Sequence, residues 1–130
     1  MEESRTKLID YWLKSAEEDL KVVDHLFEKG DYTWALFIGH LVLEKVLKGY
    51  YVKVVDKNAP YTHSLSLLAE RTKLNLTDDQ QELLEKVTDF SIKARYPGTK
   101  FEFYKLCTKE YTEGWLRKIK EFYQWMLKRF

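Results

Sequence analysis

The segment YTWALFIGHLVLEKVLKGYYVKVV, from Tyr32 to Val55, is apolar at almost every turn. As a helix it would run about 24 residues, or roughly 36 Å. A helix that is apolar nearly all round belongs at the centre of a domain, so the rest of the chain must wrap it. The hydrophobic pattern is helical elsewhere too, and only five Gly and two Pro occur in 130 residues. A turn-rich β fold is excluded on those grounds. Residues 1–130 are predicted to form one all-α domain, long enough to hide about two thirds of the unfolded surface.

Four long helices and one short one follow from the pattern. The first runs from about Ser4 to Lys29, with Leu8, Ile9, Trp12, Leu13, Ala16, Leu20, Val23 and Phe27 on its apolar stripe. Gly30 ends it and Asp31 can cap the second. The stretch DKNAPY breaks the chain after the second helix, and a short helix carrying Leu65, Leu67, Leu68 and Ala69 follows His63. Thr77-x-x-Gln80 is a capping-box pattern that starts the fourth helix. Its buried side is Leu83, Leu84, Val87, Phe90 and Ala94, and RYP with Gly98 ends it. Thr108 starts the last, whose stripe is Tyr111, Trp115, Ile119, Phe122, Met126 and Phe130. The very short link between the first two helices makes them antiparallel, so the expected architecture is an up-and-down bundle.

Within the apolar second helix, His40, Glu44 and Lys48 recur every four residues, with Lys45 beside them. That spacing draws one polar line along the rod. Glu44 and Lys48 form an i,i+4 pair of the favoured orientation, and an unpaired charge there would be too costly to bury. His63 lies at a helix start and Arg95 at a helix end, where each can simply satisfy local backbone groups. If they converge with the polar line, a phosphate would find a bidentate guanidinium there, and Tyr50, Tyr51 or Tyr96 could stack a base. His40, Glu44, Lys45, Lys48, His63 and Arg95 are therefore the candidate ligand-binding residues.

Recognised catalytic and metal patterns are missing. The glycines are scattered, so no phosphate-binding Gly-rich loop exists, and there is neither an HExxH nor a nucleophile elbow. No Glu-x-x-His pair suited to a di-iron bundle occurs. Neither a metal nor a cofactor is expected. The single Cys107 rules out an intramolecular disulfide and fits a reducing, cytoplasmic setting. Neither a signal core nor a run long enough to span a membrane is seen. Net charge is +1 but uneven: residues 1–31 hold nine acids against five bases, and residues 91–130 hold ten bases against four acids. Attraction between the end helices accounts for this, as does a basic surface for phosphates.

The runs AEEDLKVVDHLFEKGDYTWALFIGHLVLEKVLKGYYV, PYTHSLSLLAE and ARYPG, in that order, resemble the HEPN family (higher eukaryotes and prokaryotes nucleotide-binding) over nearly the whole chain. The resemblance implies an all-helical bundle, commonly a homodimer, similar to the substrate-binding domains of larger nucleotidyltransferases. It implies a gene neighbour and partner, a minimal nucleotidyltransferase, as in toxin–antitoxin pairs. Many relatives are metal-independent endoribonucleases that use an Arg followed four to six residues later by a His. Here Arg95 is followed by Tyr96, Pro97, Gly98, Thr99, Lys100, Phe101 and Glu102, and no His follows Arg71 or Arg117 either. The resemblance thus implies a non-catalytic accessory subunit that binds a nucleotide or RNA phosphate. An endoribonuclease with an atypical site and a purely structural homodimer are the alternatives.

Overall fold

The computed structural model of the protein describes residues 2–55 and 58–130. Six helices follow in order: α1 (Glu2–Glu28), α2 (Tyr32–Val55), α3 (Leu65–Arg71), α4 (Asp78–Arg95), α5 (Pro97–Leu106) and α6 (Lys109–Leu127). Among the described residues there is no strand. The four long helices and α3 agree with the expected bundle. Two residues of the expected break after α2, Asp56 and Lys57, lie outside the described residues.

Local chemistry sets the ends of these helices. Gly30 sits at φ +82°, where a side chain would be strained. The Gly30 N–H reaches the Phe27 carbonyl at 3.1 Å and the Asp31 N–H reaches Leu26 at 2.8 Å. Those two bonds are a Schellman ending, and they turn the chain directly into α2. Thr77 and Gln80 make both bonds of the capping box on α4. Ser64 caps α3 and Thr108 caps α6 through their hydroxyls.

Helix α5 departs from the expectation. RYP with Gly98 reads as a stop, yet the chain pauses only at Tyr96 and restarts with Pro97 in the first turn. A proline there costs nothing, because an N–H at that position would be unpaired in any helix. Its tie to the core is thin: Phe103 is buried, with Cys107 just beyond the end, while Phe101, Tyr104 and Leu106 face outward.

The most apolar helix is central, as expected. Helix α2 touches all five others, and Leu36, Val42, Leu43, Val46 and Leu47 are fully buried. A Cβ on Gly49 would sit 3.1 Å from Trp12 Cβ, so the absent side chain lets α1 lie close. Helix α1 packs mainly on α2, with the Lys120–Asp24 ion pair at 2.6 Å tying it to α6. Its apolar stripe is therefore only half covered: Ala16 and Val23 are buried, while Leu8, Ile9, Trp12 and Leu13 stay partly open.

Candidate functional site

The polar line on α2 is buried, and its members are satisfied mostly by one another and by His63. Its upper end is His40, which is 1% exposed. His40 Nε2 lies 2.7 Å from the backbone carbonyl oxygen of His63. An oxygen there can only accept, so Nε2 carries the proton and Nδ1 holds a lone pair. That lone pair has no partner among the described residues, and Glu44 Oε1 stands 3.9 Å away.

Glu44 is the hub. Its Oε1 accepts from His63 Nδ1 at 2.8 Å, and its Oε2 accepts from Lys48 Nζ at 3.0 Å. Lys48 is itself buried, with its ammonium 5.6 Å from the Trp12 ring centre. Each oxygen of the carboxylate thus has a donor, which is what makes a buried charge tolerable. The His63 side chain is 59% exposed. Since Nδ1–H points at the carboxylate, its Nε2 is left as the ring atom free for other partners.

Arg95 approaches from the end of α4. Its Nε donates to the Ser91 carbonyl at 2.8 Å, and its guanidinium lies 5.9 Å from the Phe37 ring and 5.8 Å from the Tyr96 ring. The terminal nitrogens have no acceptor among the described residues. A fork held by two rings and one carbonyl needs little further ordering to grip an anion. Arg95 also reaches His40 electrostatically. Burial holds the His40 pKa below its ordinary value of 6.5. The bond to the His63 carbonyl and the charge of Glu44 oppose this, while the charges of His63 and Arg95 lower it further.

Four of the six expected site residues therefore meet. His40, Glu44, Lys48 and His63 form one connected cluster, and Arg95 lies over Phe37, three residues from His40 along α2. Lys45 does not join: it pairs with Asp19 on α1 at 2.6 Å. Lys48 meets Glu44 and Trp12 and is not presented to a ligand. Tyr50 sits edge-on to Phe130, whereas Tyr96 is exposed beside Arg95. Phe37, Ser91 and Trp12 were missed from sequence. Only Phe37 carried a signal, since it lies three residues before His40 on the same helical face. Among the described residues no group of three His, Cys, Asp or Glu side chains is arranged to hold a metal ion.

The family model for the HEPN domain matches residues 9–130. The chain belongs to the HEPN family. No curated protein matches it. In fold it is similar to the crystal structure of TT1696 from Thermus thermophilus, with a TM-score of 0.80 and 20% identity, covering 94% of this chain and 98% of that one. At that identity the likeness speaks for the fold alone. No described helix of this HEPN protein is long and apolar enough to cross a membrane.

A pH dependence follows from His40. The folded state disfavours its proton, whereas the unfolded chain takes one up as pH falls below 6.5. The stability that the neutral ring provides is therefore complete above that value and is lost progressively below it. The His40 ring signals in an NMR titration should move at a pH under 6.5. Titration at or above 6.5 would contradict the buried neutral tautomer.

Proposed function

We propose that this HEPN chain is an accessory subunit that holds the phosphate of a nucleotide or RNA against Arg95. It acts beside a minimal nucleotidyltransferase, as one half of a toxin–antitoxin-like pair in the cytoplasm. The observation that carries this is the Arg95 fork, fixed between Phe37 and Tyr96 with its terminal nitrogens free of acceptors among the described residues. A phosphate accepts two parallel N–H bonds from such a fork, and Tyr96 offers an exposed ring for a base. The exposed imidazole of His63 neighbours His40, with ring centres 6.3 Å apart, and the charge of Arg95 also reaches that buried ring. The half-covered stripe of α1 supports self-association as a homodimer, because an apolar face of that kind gains from a partner. The lone thiol of Cys107, buried and unpaired, suits a reducing compartment.

Titration with ATP, GTP and a short single-stranded RNA tests this reading. Arg95→Ala should weaken binding about tenfold or more, since hydrogen bonds to a charged group are worth roughly 1.5–3 kcal/mol. Binding that is tight and unchanged in that variant would place the site elsewhere. Sedimentation of the same samples should report twice the chain mass, and a clean monomer would remove the homodimer from the proposal.

One observation favours a second reading, an endoribonuclease with an atypical site. The 2.8 Å bond between Glu44 and His63 orients an exposed imidazole with Nε2 outward, as a general base requires. RNA cleavage that persists through purification and disappears in His63→Ala would put this reading first.

A further inference from the structure

Helices α4 and α6 run past each other without closing. A groove of about 580 Å³ separates the first half of α4 from the middle of α6. Leu83 and Phe122 form its buried floor, and the half-buried rings of Trp115 and Trp125 stand along it. The rim is acidic: Asp79 and Glu82 come from α4 and Glu121 from α6, with Lys118 as the one base among the described residues that line it.

Three features mark this groove as more than a solvated seam. Among the described residues, none of Asp79, Glu82 and Glu121 has a cation within salt-bridge distance. The first half of α4 also gathers Asp78, Asp79, Glu82 and Glu85; the first two suit the helix N-terminus, whereas Glu82 and Glu85, three residues apart, repel each other. Finally, the two tryptophans already carry cations from the C-terminal part of the chain. Lys118 Nζ lies 4.5 Å from the Trp115 ring centre, and the Arg129 guanidinium lies 3.5 Å from that of Trp125.

We propose that this groove docks a basic amphipathic helix of a partner protein. Its apolar residues would enter between Trp115 and Trp125, and its Lys or Arg heads would meet Asp79, Glu82 and Glu121. Charge complementarity selects this occupant. A nucleic acid strand would bring its phosphates against three unpaired carboxylates. A second copy has Arg117, Lys120 and Lys128 to offer beside Glu121 and Trp125, but Arg117 already pairs with Glu113 and Lys120 with Asp24, so little free positive charge is left for the three carboxylates of the groove. The groove follows α6 from Trp115 to Trp125, which suits a docked helix of about three turns. It contains none of His40, Glu44, His63 or Arg95, so it stands whether or not Arg95 takes a phosphate.

The test uses the whole protein and a labelled peptide of about 14 residues with Leu at helical spacing and Lys between, followed by fluorescence anisotropy. The Lys peptide is expected to bind, and its counterpart with Glu in place of Lys is not. Glu82→Lys with Glu121→Lys should weaken binding about tenfold or more, because each reversal adds repulsion as well as removing attraction. Glu102→Lys with Glu110→Lys makes the same change in net charge away from the groove and should leave affinity within about twofold. Circular dichroism checks that the variants fold. Should the reversal disturb the fold, Glu82→Gln with Glu121→Gln reads the same loss at smaller size. Equal weakening by the groove and control pairs would mean diffuse attraction only and would overturn the proposal, as would failure of the Lys peptide to bind. Growth of the free protein into higher oligomers, reversed by Glu121→Lys, would give the groove to a second copy instead.

Discussion

Replacing Glu44 by alanine is expected to lower the unfolding free energy by about 3–5 kcal/mol. The side chain looks like an ordinary i,i+4 partner of Lys48, and on an exposed helix such a pair is worth only about 0.3–0.5 kcal/mol. Here both side chains are buried, and the same carboxylate also receives His63. Its loss strands the Lys48 ammonium with, among the described residues, only the Trp12 ring beside it. It also removes one of the two bonds that hold His63 on α2, the other being from His40. Denaturant melts of Glu44→Ala should show the full loss. Glu44→Leu combined with Lys48→Met should recover most of it, because no buried charge is then left unpaired and the His63 ring, 59% exposed, can turn its N–H to water. A single-variant loss under about 1 kcal/mol would mean that water reaches the line and that the hub contributes little.

Phe90→Ala should cost about 4 kcal/mol, in the range found for fully buried aromatic truncations. Phe90 is fully buried, and it is where three helices meet. Its ring stacks on Phe103 of α5 at 5.4 Å and meets Trp115 and Tyr111 of α6 at 5.4 and 6.2 Å. Because Phe103 is the one described side chain of α5 in the core, the substitution should also speed amide exchange along Pro97–Leu106 ahead of the other helices. Phe101→Ala is the contrast. That ring is 74% exposed, and its loss should change stability by no more than about 0.5 kcal/mol. Similar losses from the two substitutions would show that α5 packs otherwise than described.

The helices themselves could be read from the chain because what specifies them is short in range. A Schellman ending at Gly30 and a capping box at Thr77 each need only neighbours within five residues. The apolar run of α2 forced it to the centre, since no other position hides so much surface. Helix α5 escaped for a related reason. It buries too little to show a period, and RYPG ends one helix while its proline opens the next. Along α1 the period shows which face is apolar, and only the number of neighbouring helices tells how far that face is covered.

The site divides the same way. The i,i+4 recurrence of His40, Glu44 and Lys48 was visible in the sequence, and so was the need for partners if the line were buried. Which partners was decided by folding. His63 reaches Glu44 across 19 residues and Lys45 reaches Asp19 across 26, so two lysines three residues apart on one helix end in different surroundings. Arg95 comes to the Phe37 face only because α4 runs back along α2. Sequence by itself determined an all-α bundle, its central helix and the residues able to carry charge inside it. The tertiary structure alone decided which of those charges are neutralised and which stay open, because neutralisation depends on distances of a few ångströms between segments whose separation along the chain sets no such distance.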